Sequence, residues 1–346
     1  MDEGRNGGRP GDRRSAVMED VAELAGVSAM TVSRVLNSPE RVRPATRSRV
    51  LAAMRELDYR PNLAARVLAT GRSGVLGVVS FDTTLYGPAS TLYGIERAAR
   101  AHDYLISIVS LSELNRRTIG EGVDRLRGQN VDGVIIVAPH ESAAEGLRDL
   151  PPELPLVVVG AAEHLPFPLA SVDQRLGAVR AVRHLLSLGH ETVWHLSGPA
   201  SWVDANGRAA GWRATLEEAG RAAPEVLVGD WSARSGYRLG QRLARDPSVT
   251  AVFAANDAMA LGLLRALREA GRRVPEDVSV VGFDDVPESP YFSPPLTTVH
   301  QNFGEVGTSA FALMLDRIGD GSDGGSGPRR IVEPELVVRE STGASR

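Results

Sequence analysis

Residues 18–37 read MEDVAELAGVSAMTVSRVLN, and this stretch decides how the first part of the chain folds. Val21, Leu24 and Ala25 stand at the i, i+3 and i+4 spacing that places apolar side chains on one face of a helix. Gly26 is expected to end that helix, because glycine adopts the left-handed conformation of a helix C-terminus without steric cost. The pattern predicts a short helix followed by a tight turn.

A second helix is predicted after the turn. Ser28 is a typical N-cap residue, and Val32, Val35 and Leu36 then face inward. A third helix is predicted from Pro44 to Leu57, with a core of Val50, Leu51, Met54 and Leu57. Two short helices joined by a glycine-containing turn are typical of the helix-turn-helix, whose second helix enters the major groove of DNA. A purely structural helical hairpin is the alternative, and the clustered Arg residues disfavour it.

The outward residues of the second helix are the expected DNA contacts. Near its start, Ala29 and Met30 face the base edges, where apolar side chains suit thymine methyl groups. Arg34, one turn further, has the donors to pair with guanine O6 and N7. The hydroxyls of Thr31 and Ser33 are placed for phosphates, which position a protein on DNA without specifying its sequence.

Composition excludes several classes of protein. The 346 residues suffice for two or three domains, and no run approaches the roughly 20 apolar residues of a membrane span. The absence of Cys excludes disulfides, thiolate metal sites and Cys nucleophiles. All 39 basic residues are Arg, which excludes Schiff-base chemistry and the lysine of a P-loop. Residues 1–14 lack the apolar region of a secretory signal, so we expect a disordered tail over residues 1–15 and a cytoplasmic protein.

Charge is distributed unevenly along the chain. Residues 1–72 carry 13 Arg against 9 acidic residues, whereas the remainder carries 26 Arg against 34 acidic residues. A basic head on an acidic body suits a polyanion-binding module joined to a different domain.

Beyond residue 73 the sequence predicts an α/β body. Apolar runs alternate with helical patterns, which indicates parallel sheets covered by helices on both faces. The predicted strands are Val75–Ser80, Tyr104–Val109, Val131–Ala138, Leu156–Gly160, Val193–Ser197, Ala251–Ala255, Val278–Phe283 and Thr297–Gln301. The predicted helices are Ala89–His102, Ile119–Gly128, Leu176–Leu188, Gly207–Ala219, Arg234–Arg245, Asp257–Gly271 and Phe303–Ile318. Two such series predict two doubly wound lobes, with crossings near residues 171–174, 298–301 and 329–333.

Ligands of such folds bind at the carboxyl ends of the strands, here in a cleft between the lobes. The residues expected there are Asp82, Tyr86, Glu141, Arg208, Trp231, Asn256, Asp284, Asp285 and Gln301. Arg and carboxylate groups pair with the vicinal hydroxyls of a polyol, and Trp offers a flat apolar face to ring C–H groups. The sequence contains no Gly-x-Ser-x-Gly elbow and no His-Glu-x-x-His motif, so no catalytic or metal site is expected.

Several motifs together resemble one family. Val21 to Asn37, Pro44-Ala45-Thr46-Arg47 and Tyr59-Arg60-Pro61-Asn62 are similar to the headpiece of the LacI/GalR family of bacterial transcription repressors, and the resemblance continues to the C-terminus. It implies an all-α helix-turn-helix headpiece and an α/β core like that of periplasmic sugar-binding proteins. The implied divisions are a headpiece over 16–60, a hinge helix over 61–72 and an effector-binding core over 73–346. Lobe 1 would comprise about 73–171 and 301–329, and lobe 2 about 172–300 and 330–346.

The resemblance also implies DNA contacts outside the second helix. In this family a short helix after the Pro-Asn pair forms on operator DNA, pairs with its dimer mate and inserts a Leu into the minor groove. The matching residue here is Leu68, and a core contact with the body is the alternative role for it. The expected DNA contacts are Ser28, Ala29, Met30, Thr31, Ser33, Arg34, Asn37, Asn62, Ala65 and Leu68.

Ligand-binding roles follow from the same resemblance. Arg208 in ANGRAAGW matches the effector-binding position, and Trp231 in GDWSARSG matches a sugar-facing aromatic residue. The stretch LYGPA matches the first-lobe loop, with Ala89 at a position where the family often has Ser. The expected ligand contacts are Asp82, Tyr86, Ala89, Glu141, Arg208, Trp231, Asn256, Asp284, Gln301 and Phe303.

These observations favour a sequence-specific DNA-binding repressor, not an enzyme, whose affinity for a palindromic operator is controlled by a sugar or glycoside. No leucine heptad follows residues 332–339, so a homodimer is expected. Three alternatives stay open: a regulator with a purine-type corepressor, a solute-binding module without DNA function, and a sugar-processing enzyme. No cofactor, metal ion or membrane is implied.

Overall fold

The described residues of the first part of the chain include three α-helices: α1 (Met18–Ala25), α2 (Ala29–Asn37) and α3 (Pro44–Glu56). The computed structural model describes residues 16–37, 41–59, 71–151, 153–160, 165–320 and 327–345. The chain divides into two units after Ser73, so the helices belong to a unit of their own. Gly26 ends α1 with φ +62°, and the Thr31 N–H donates to Ser28 Oγ at 3.2 Å, as the sequence predicted for a turn and a capped second helix.

The core of the first unit differs in part from the prediction. Its buried side chains are Val21, Ala22, Ala25, Val32, Val35, Val50 and Ala53. Leu24 and Leu51, predicted to be inward, are 46% and 44% exposed. At about 100° per residue, Leu24 lies roughly 100° around α1 from the centre of the face that Val21, Ala22 and Ala25 bury. The small Ala22 therefore takes the place that the prediction gave to Leu24.

The second unit is an α/β body. In chain order its elements are β1 (Val75–Phe81), α4 (Tyr86–Ala101), β2 (Leu105–Leu111), α5 (Arg116–Arg127), β3 (Gly133–Val137), α6 (Ala143–Arg148), β4 (Leu156–Val159), β5 (Leu169–Val172), α7 (Gln174–Ser187), β6 (Trp194–Ser197), α8 (Val203–Glu218), β7 (Leu227–Val228), α9 (Ala233–Leu243), β8 (Ala251–Ala254), α10 (Asp257–Glu269), β9 (Ser279–Asp284), β10 (Thr297–His300), α11 (Phe303–Asp320), β11 (Arg329–Val332) and β12 (Glu335–Val337). A 3₁₀ turn spans Ser289–Tyr291 between β9 and β10.

Two six-stranded sheets form the two lobes. Lobe 1 has the strand order β11-β5-β4-β3-β1-β2, and lobe 2 has the order β12-β10-β9-β8-β6-β7. All pairings are parallel except that of β10 with β12. Apolar clusters lie on both faces of each sheet, as expected for strands that read as nearly continuous apolar runs.

The chain crosses between the lobes three times. The crossings fall at Asp173, at residues 301–302 and at residues 333–334, because the flanking strands and helices belong to different sheets. Val172 and residues 330–332 pair within lobe 1, so the sequence-based boundaries at 171/172 and 329/330 lie inside β5 and β11 and are corrected by one and three residues. β11 has mostly exposed side chains, and such an edge strand has no apolar pattern to mark its end.

A fourth connection joins the lobes directly. Residues 139–141 of lobe 1 and residues 201–203 of lobe 2 form a short antiparallel contact, here called the lobe bridge. The Glu141 N–H donates to a lobe 2 carbonyl at 3.0 Å, and the Val203 N–H donates to a lobe 1 carbonyl at 2.9 Å. The Asn206 side chain adds a hydrogen bond of 2.8 Å to the Glu141 carboxylate. The lobes are therefore closed on each other in this structure.

Candidate functional site

A cleft lies between the two lobes at the carboxyl ends of the strands. With its open mouth it holds about 720 Å³ of empty space, part of which is open to solvent. Seven of the residues predicted from the sequence line it: Tyr86, Arg208, Trp231, Asn256, Asp284, Gln301 and Phe303. They come from both lobes and from one of the crossings, so a bound ligand would touch both lobes at once.

A chain of buried polar groups runs along the cleft. The Arg208 Nε donates to Gln174 Oε1 at 2.8 Å, and Gln174 Nε2 donates to Gln301 Oε1 at 2.9 Å. Gln301 Nε2 then donates to Asp284 Oδ1 at 2.6 Å, and the Arg208 Nη2 lies 3.8 Å from the same oxygen. Gln174 follows the first crossing directly, and Gln301 is the first residue of the second crossing. These hydrogen bonds therefore link α8 and β9 of lobe 2 to the segments that connect the two lobes.

Arg208 is held from every side. Its side chain is 4% exposed, and its Nη1 donates to the Ala255 carbonyl. The guanidinium carbon lies 3.9 Å from the ring centroid of Phe283 and 5.5 Å from that of Trp231. Cation–π contacts of this kind are strongest where water is excluded. Arg208 is thus a fixed cation at the base of the cleft.

Burial controls the titration of the acidic groups. It raises the pKa of the Asp284 carboxyl to about 7, against the lowering effect of the Arg208 guanidinium. Burial also raises the pKa of Asp204, again opposed by Arg208. The pKa of Arg208 itself is lowered by burial, and the Asp284 carboxylate partly restores it. A ligand whose hydroxyl groups donate hydrogen bonds to these carboxyl groups would favour the ionised form of the carboxyl groups.

Aromatic rings provide the apolar surface of the cleft. Trp202 and Trp231 meet edge to face, with ring centroids 5.5 Å apart and an interplanar angle of 72°. Tyr86 and Phe303 form a second pair at 5.8 Å and 77°. Phe81 packs against Trp202 at 5.9 Å and holds it in place. Flat faces and edges of this type suit the C–H surfaces of sugar rings.

Two site residues have unusual backbone conformations. Trp231 has φ +71° and Asp284 has φ +111°, values that are costly for residues with a Cβ. The Asn256 side chain supports the first of these, since its Nδ2 donates to the Trp231 carbonyl at 3.0 Å while its Oδ1 caps α10. The buried Trp231 Nε1 has no acceptor among the residues that the structure describes. Unpaired buried donors are rare in native structures, and this one belongs to a residue that lines the cleft.

Three of the ten predicted ligand contacts do not line the cleft, and neither does Asp285, whose carboxylate pairs with Arg339 at 2.7 Å. The Asp82 carboxylate turns back to accept hydrogen bonds from the Thr84 hydroxyl and N–H. Ala89 lies in the first turn of α4 and faces a separate surface groove between α4 and α11. The Glu141 carboxylate belongs to the lobe bridge. Local hydrogen bonds and helix phase decide these positions, and strand-end position alone did not reveal them.

The structure adds cleft residues that the sequence reasoning missed, chiefly Trp202, Asp204 and Gln174. The predicted helix began at Gly207, whereas α8 begins at Val203 and so carries Asp204 in its first turn. The sequence signal that could have revealed Trp202 is the Gly-Pro loop after β6. Loops at the carboxyl ends of the strands border the cleft, so a Trp in such a loop is a candidate lining residue.

The candidate DNA-binding surface is on α2. Met30 is 70% exposed, and Arg34, one turn later on the same helix face, is also exposed. Ser28 and Thr31 are hydrogen bonded to each other at 3.0 Å, and Ser33 lies partly exposed beside them. Ala29, predicted to face bases, instead packs partly against the core of the first unit.

The side chains of four predicted DNA contacts lie outside the described residues. Asn37 is the last residue of α2, and its side chain lies outside the described residues. Asn62, Ala65 and Leu68 also lie outside the described residues.

Among the residues that the structure describes, no group of His, Asp and Glu side chains is arranged to hold a metal ion. Within the same ranges no helix has the length and apolar character needed to cross a membrane.

Both units match known sequence families. Residues 17–62 match the profile of the bacterial regulatory proteins of the lacI family. Residues 182–342 match the profile of a periplasmic binding protein-like domain.

Full-length comparisons agree with these matches. The lactose operon repressor of Klebsiella pneumoniae is 37% identical over 335 residues, which cover 95% of this chain and 93% of that protein. The crystal structure of the lac repressor dimer bound to operator and the anti-inducer ONPF matches with a TM-score of 0.84 at 33% identity, over 96% of this chain and 100% of that one. A complex of the transcriptional regulator CelR with cellobiose matches with a TM-score of 0.68 at 33% identity, over 94% and 99% of the two chains.

Proposed function

Since this chain belongs to the lacI family of bacterial regulatory proteins, we propose that it is a DNA-binding transcriptional repressor whose operator affinity is controlled by a sugar or glycoside bound between its two lobes. It carries the DNA-binding domain of the family in its first unit and a two-lobed α/β core in its second. The relatives named above are transcriptional regulators, and we propose that this chain likewise binds its ligand without turning it over.

One observation carries the choice of ligand class. The cleft combines a buried cation and carboxylates with edge-to-face Trp rings and an unpaired indole donor. Hydroxyl groups are both donors and acceptors, so a sugar satisfies all of these groups while its C–H face covers an aromatic ring. The CelR relative was solved with cellobiose, which is consistent with a sugar in this cleft.

The positions of two cleft residues in the fold couple ligand binding to the arrangement of the lobes. Gln174 and Gln301 stand at the crossings between lobes, and both belong to the hydrogen-bonded chain that includes Arg208 and Asp284. A ligand that forms hydrogen bonds with these groups changes the free-energy difference between lobe arrangements. Coupling energies of about 1–3 kcal/mol, or roughly 5- to 150-fold in affinity, are typical of such linked sites.

On the DNA side we propose that Met30 and Arg34 read base edges from the major groove. Residues 61–72 would act as the hinge that transmits the state of the core, with Asn62 and Ala65 at the DNA backbone and Leu68 in the minor groove. Ser28, Thr31, Ser33 and Asn37 would contact phosphates or neighbouring bases.

A homodimer is the proposed assembly, on a palindromic operator in the cytoplasm. Large apolar side chains are exposed on both lobes, including Tyr93 at 63%, Leu105 at 59% and Tyr291 at 86%. A contiguous apolar patch that includes such side chains would mark a surface for association. A two-fold dimer would present two α2 helices to two half-sites.

A gel-shift series on the upstream region of the protein's own gene tests this proposal. The purified full-length protein should retard that DNA, and at least one member of a panel of neutral mono- and disaccharides should shift the apparent affinity several-fold. Calorimetry with purines beside glycosides separates the sugar effector from a purine corepressor. Absence of DNA binding with and without every ligand would refute the repressor function, whereas binding that responds only to purines would refute the sugar.

A further inference from the structure

Asp204 occupies an unusual position in the cleft. It lies in the first turn of α8, two residues after Trp202, and both residues line the cleft. Its carboxylate accepts no hydrogen bond from any residue that the structure describes. The other cleft carboxylate, that of Asp284, has the amide of Gln301 as its donor. Asp204 is therefore an acceptor left open toward the ligand space.

The described lining of the cleft offers no free cation. Among the described residues that line it, the charged ones are Asp204, Arg208 and Asp284. Arg208 directs its donors to Gln174, to the Ala255 carbonyl and to Asp284. An anionic ligand would have to break these contacts to be paired, and it would face Asp204 as well.

Neighbouring groups do not supply the missing positive charge. His140 packs against Trp202 at 6.1 Å, and burial lowers its pKa, so its ring is neutral at pH 7. Glu141 adds negative charge on the lobe bridge, where it is held by Asn206. This end of the cleft is suited to neutral hydroxyl donors.

We propose that Asp204 is a specificity-determining residue that selects uncharged sugars over anionic ones, such as sugar acids and sugar phosphates. The assignment rests on the proposed sugar-binding function. Vicinal hydroxyls of a sugar donate to the two carboxylate oxygens, while the Trp202 ring, two residues away on the chain, provides apolar surface for the C–H groups. The helix dipole also favours an acidic residue in the first turn of α8, but it does not require that residue to face the cleft.

Isothermal titration calorimetry on the full-length protein provides the test. The probes are cellobiose and lactose, then the open-chain pairs cellobiitol with cellobionate and lactitol with lactobionate. Each pair has the same non-reducing ring and an open chain, so its members differ mainly in one negative charge. The wild-type protein should bind the neutral member about 10-fold or more tightly than the acid, the scale of one uncompensated charge contact.

The variant Asp204→Asn keeps the shape of the side chain and removes its charge. We expect it to bind the neutral probes about 10-fold more weakly, because hydrogen bonds to charged groups are the stronger ones, and to bring the neutral-to-acid ratio close to one. Glu217→Gln removes a charge from the exposed far end of the same helix and should leave the ratio at the wild-type value.

The possible outcomes separate the two claims. A wild-type ratio that is unchanged in Asp204→Asn, with only a lower melting temperature, would make Asp204 a helix-stabilising residue and overturn its role in selection. A wild-type protein that binds the acids as well as the neutral sugars would also overturn it, while leaving the sugar effector in place. A wild-type protein that binds neither cellobiose, lactose nor any other sugar of the panel would refute the proposed effector class and this assignment with it.

Discussion

Replacing Arg208 with Met should separate effector response from DNA binding. The substitution keeps an unbranched apolar stem against the rings of Phe283 and Trp231, which lie 3.9 Å and 5.5 Å from the guanidinium carbon. It removes the donors to Gln174 and to the Ala255 carbonyl, and it leaves the Asp284 carboxyl without its cation. We expect Arg208→Met to bind operator in the absence of sugar and to show no response to sugar.

The cost in stability follows from the burial of the pair. The side chains of Arg208 and Asp284 are 4% and 10% exposed, so neither is screened by much water. Breaking a buried ion pair by removing one partner typically costs about 3–5 kcal/mol. The Asp284 carboxyl that remains can limit this cost by binding a proton. At a pH above the pKa of the carboxyl, protonating it costs about 1.4 kcal/mol per pH unit of difference.

The pH dependence of the unfolding free energy tests the Arg208–Asp284 pair more sharply than the stability at one pH. The Asp284 pKa is raised from 3.8 to about 7 on folding, so the protonated carboxyl stabilises the folded state below about pH 4 and that contribution is lost as pH rises through 7. Without the guanidinium the folded-state pKa rises further, and the loss continues above pH 7. The difference in unfolding free energy between wild type and Arg208→Met should therefore widen between pH 6 and pH 9.

Urea unfolding at several pH values, with a gel shift at each, measures both effects. Arg213→Met is the matched control, since it removes an exposed Arg from the same helix and should change stability by less than about 0.5 kcal/mol at every pH. A difference for Arg208→Met that stays constant with pH would contradict the role assigned to Asp284. A retained sugar response would contradict the central place of Arg208 in the site.

Three further predictions concern the head, the effector site and lobe packing. Arg34→Ala should cost about 1–3 kcal/mol of operator affinity and relax base preference at one position; selection from a randomised operator library measures this, and an unchanged profile would contradict base reading. Trp231→Ala should weaken sugar binding in calorimetry while unliganded operator binding persists; joint loss of both would instead mark a folding residue. Gly236→Ala should destabilise lobe 2 by about 1–3 kcal/mol, because the added Cβ would lie 2.1 Å from the Met259 carbonyl oxygen. Gly120→Ala, whose Cβ would have no atom within 4 Å, should instead stabilise α5 by about 0.5–1 kcal/mol. Urea unfolding compares the two variants, and equal effects would refute the packing argument.

Sequence periodicity predicted most of the regular fold. The apolar runs at Val75, Leu156 and Ala251 are strands because they are buried on both faces, and burial is what an apolar run records. The short strands β5, β7, β11 and β12 were not predicted. β7, β11 and β12 have exposed or partly exposed side chains, and their pairing with a neighbouring strand, a tertiary effect, makes them strands.

The candidate site was predictable to the extent that it follows strand ends. Arg208, Asp284 and Gln301 were expected near the cleft and lie in it. Asp204 was missed because the start of α8 was placed four residues late, and a helix start decides which side chain faces inward. Asp82 was assigned to the cleft because a single sequence does not show which strand-end carboxylate is satisfied by its own turn.

The lobe bridge has a kinetic consequence for any ligand. Pro139 and Trp202 belong to the bridge and also line the cleft, so opening the bridge would widen the entrance for a molecule of disaccharide size. Two backbone hydrogen bonds and the Asn206 contact hold it shut, and at about 1 kcal/mol each these three alone would limit the open form to on the order of 1% of the population. A ligand that enters only through the widened cleft would bind at a rate that levels off at high concentration, where opening becomes the slow step. Its release would be slowed in the same way, so the lifetime of the bound state, and hence the time for which a regulated gene stays switched, would depend partly on three hydrogen bonds between the lobes.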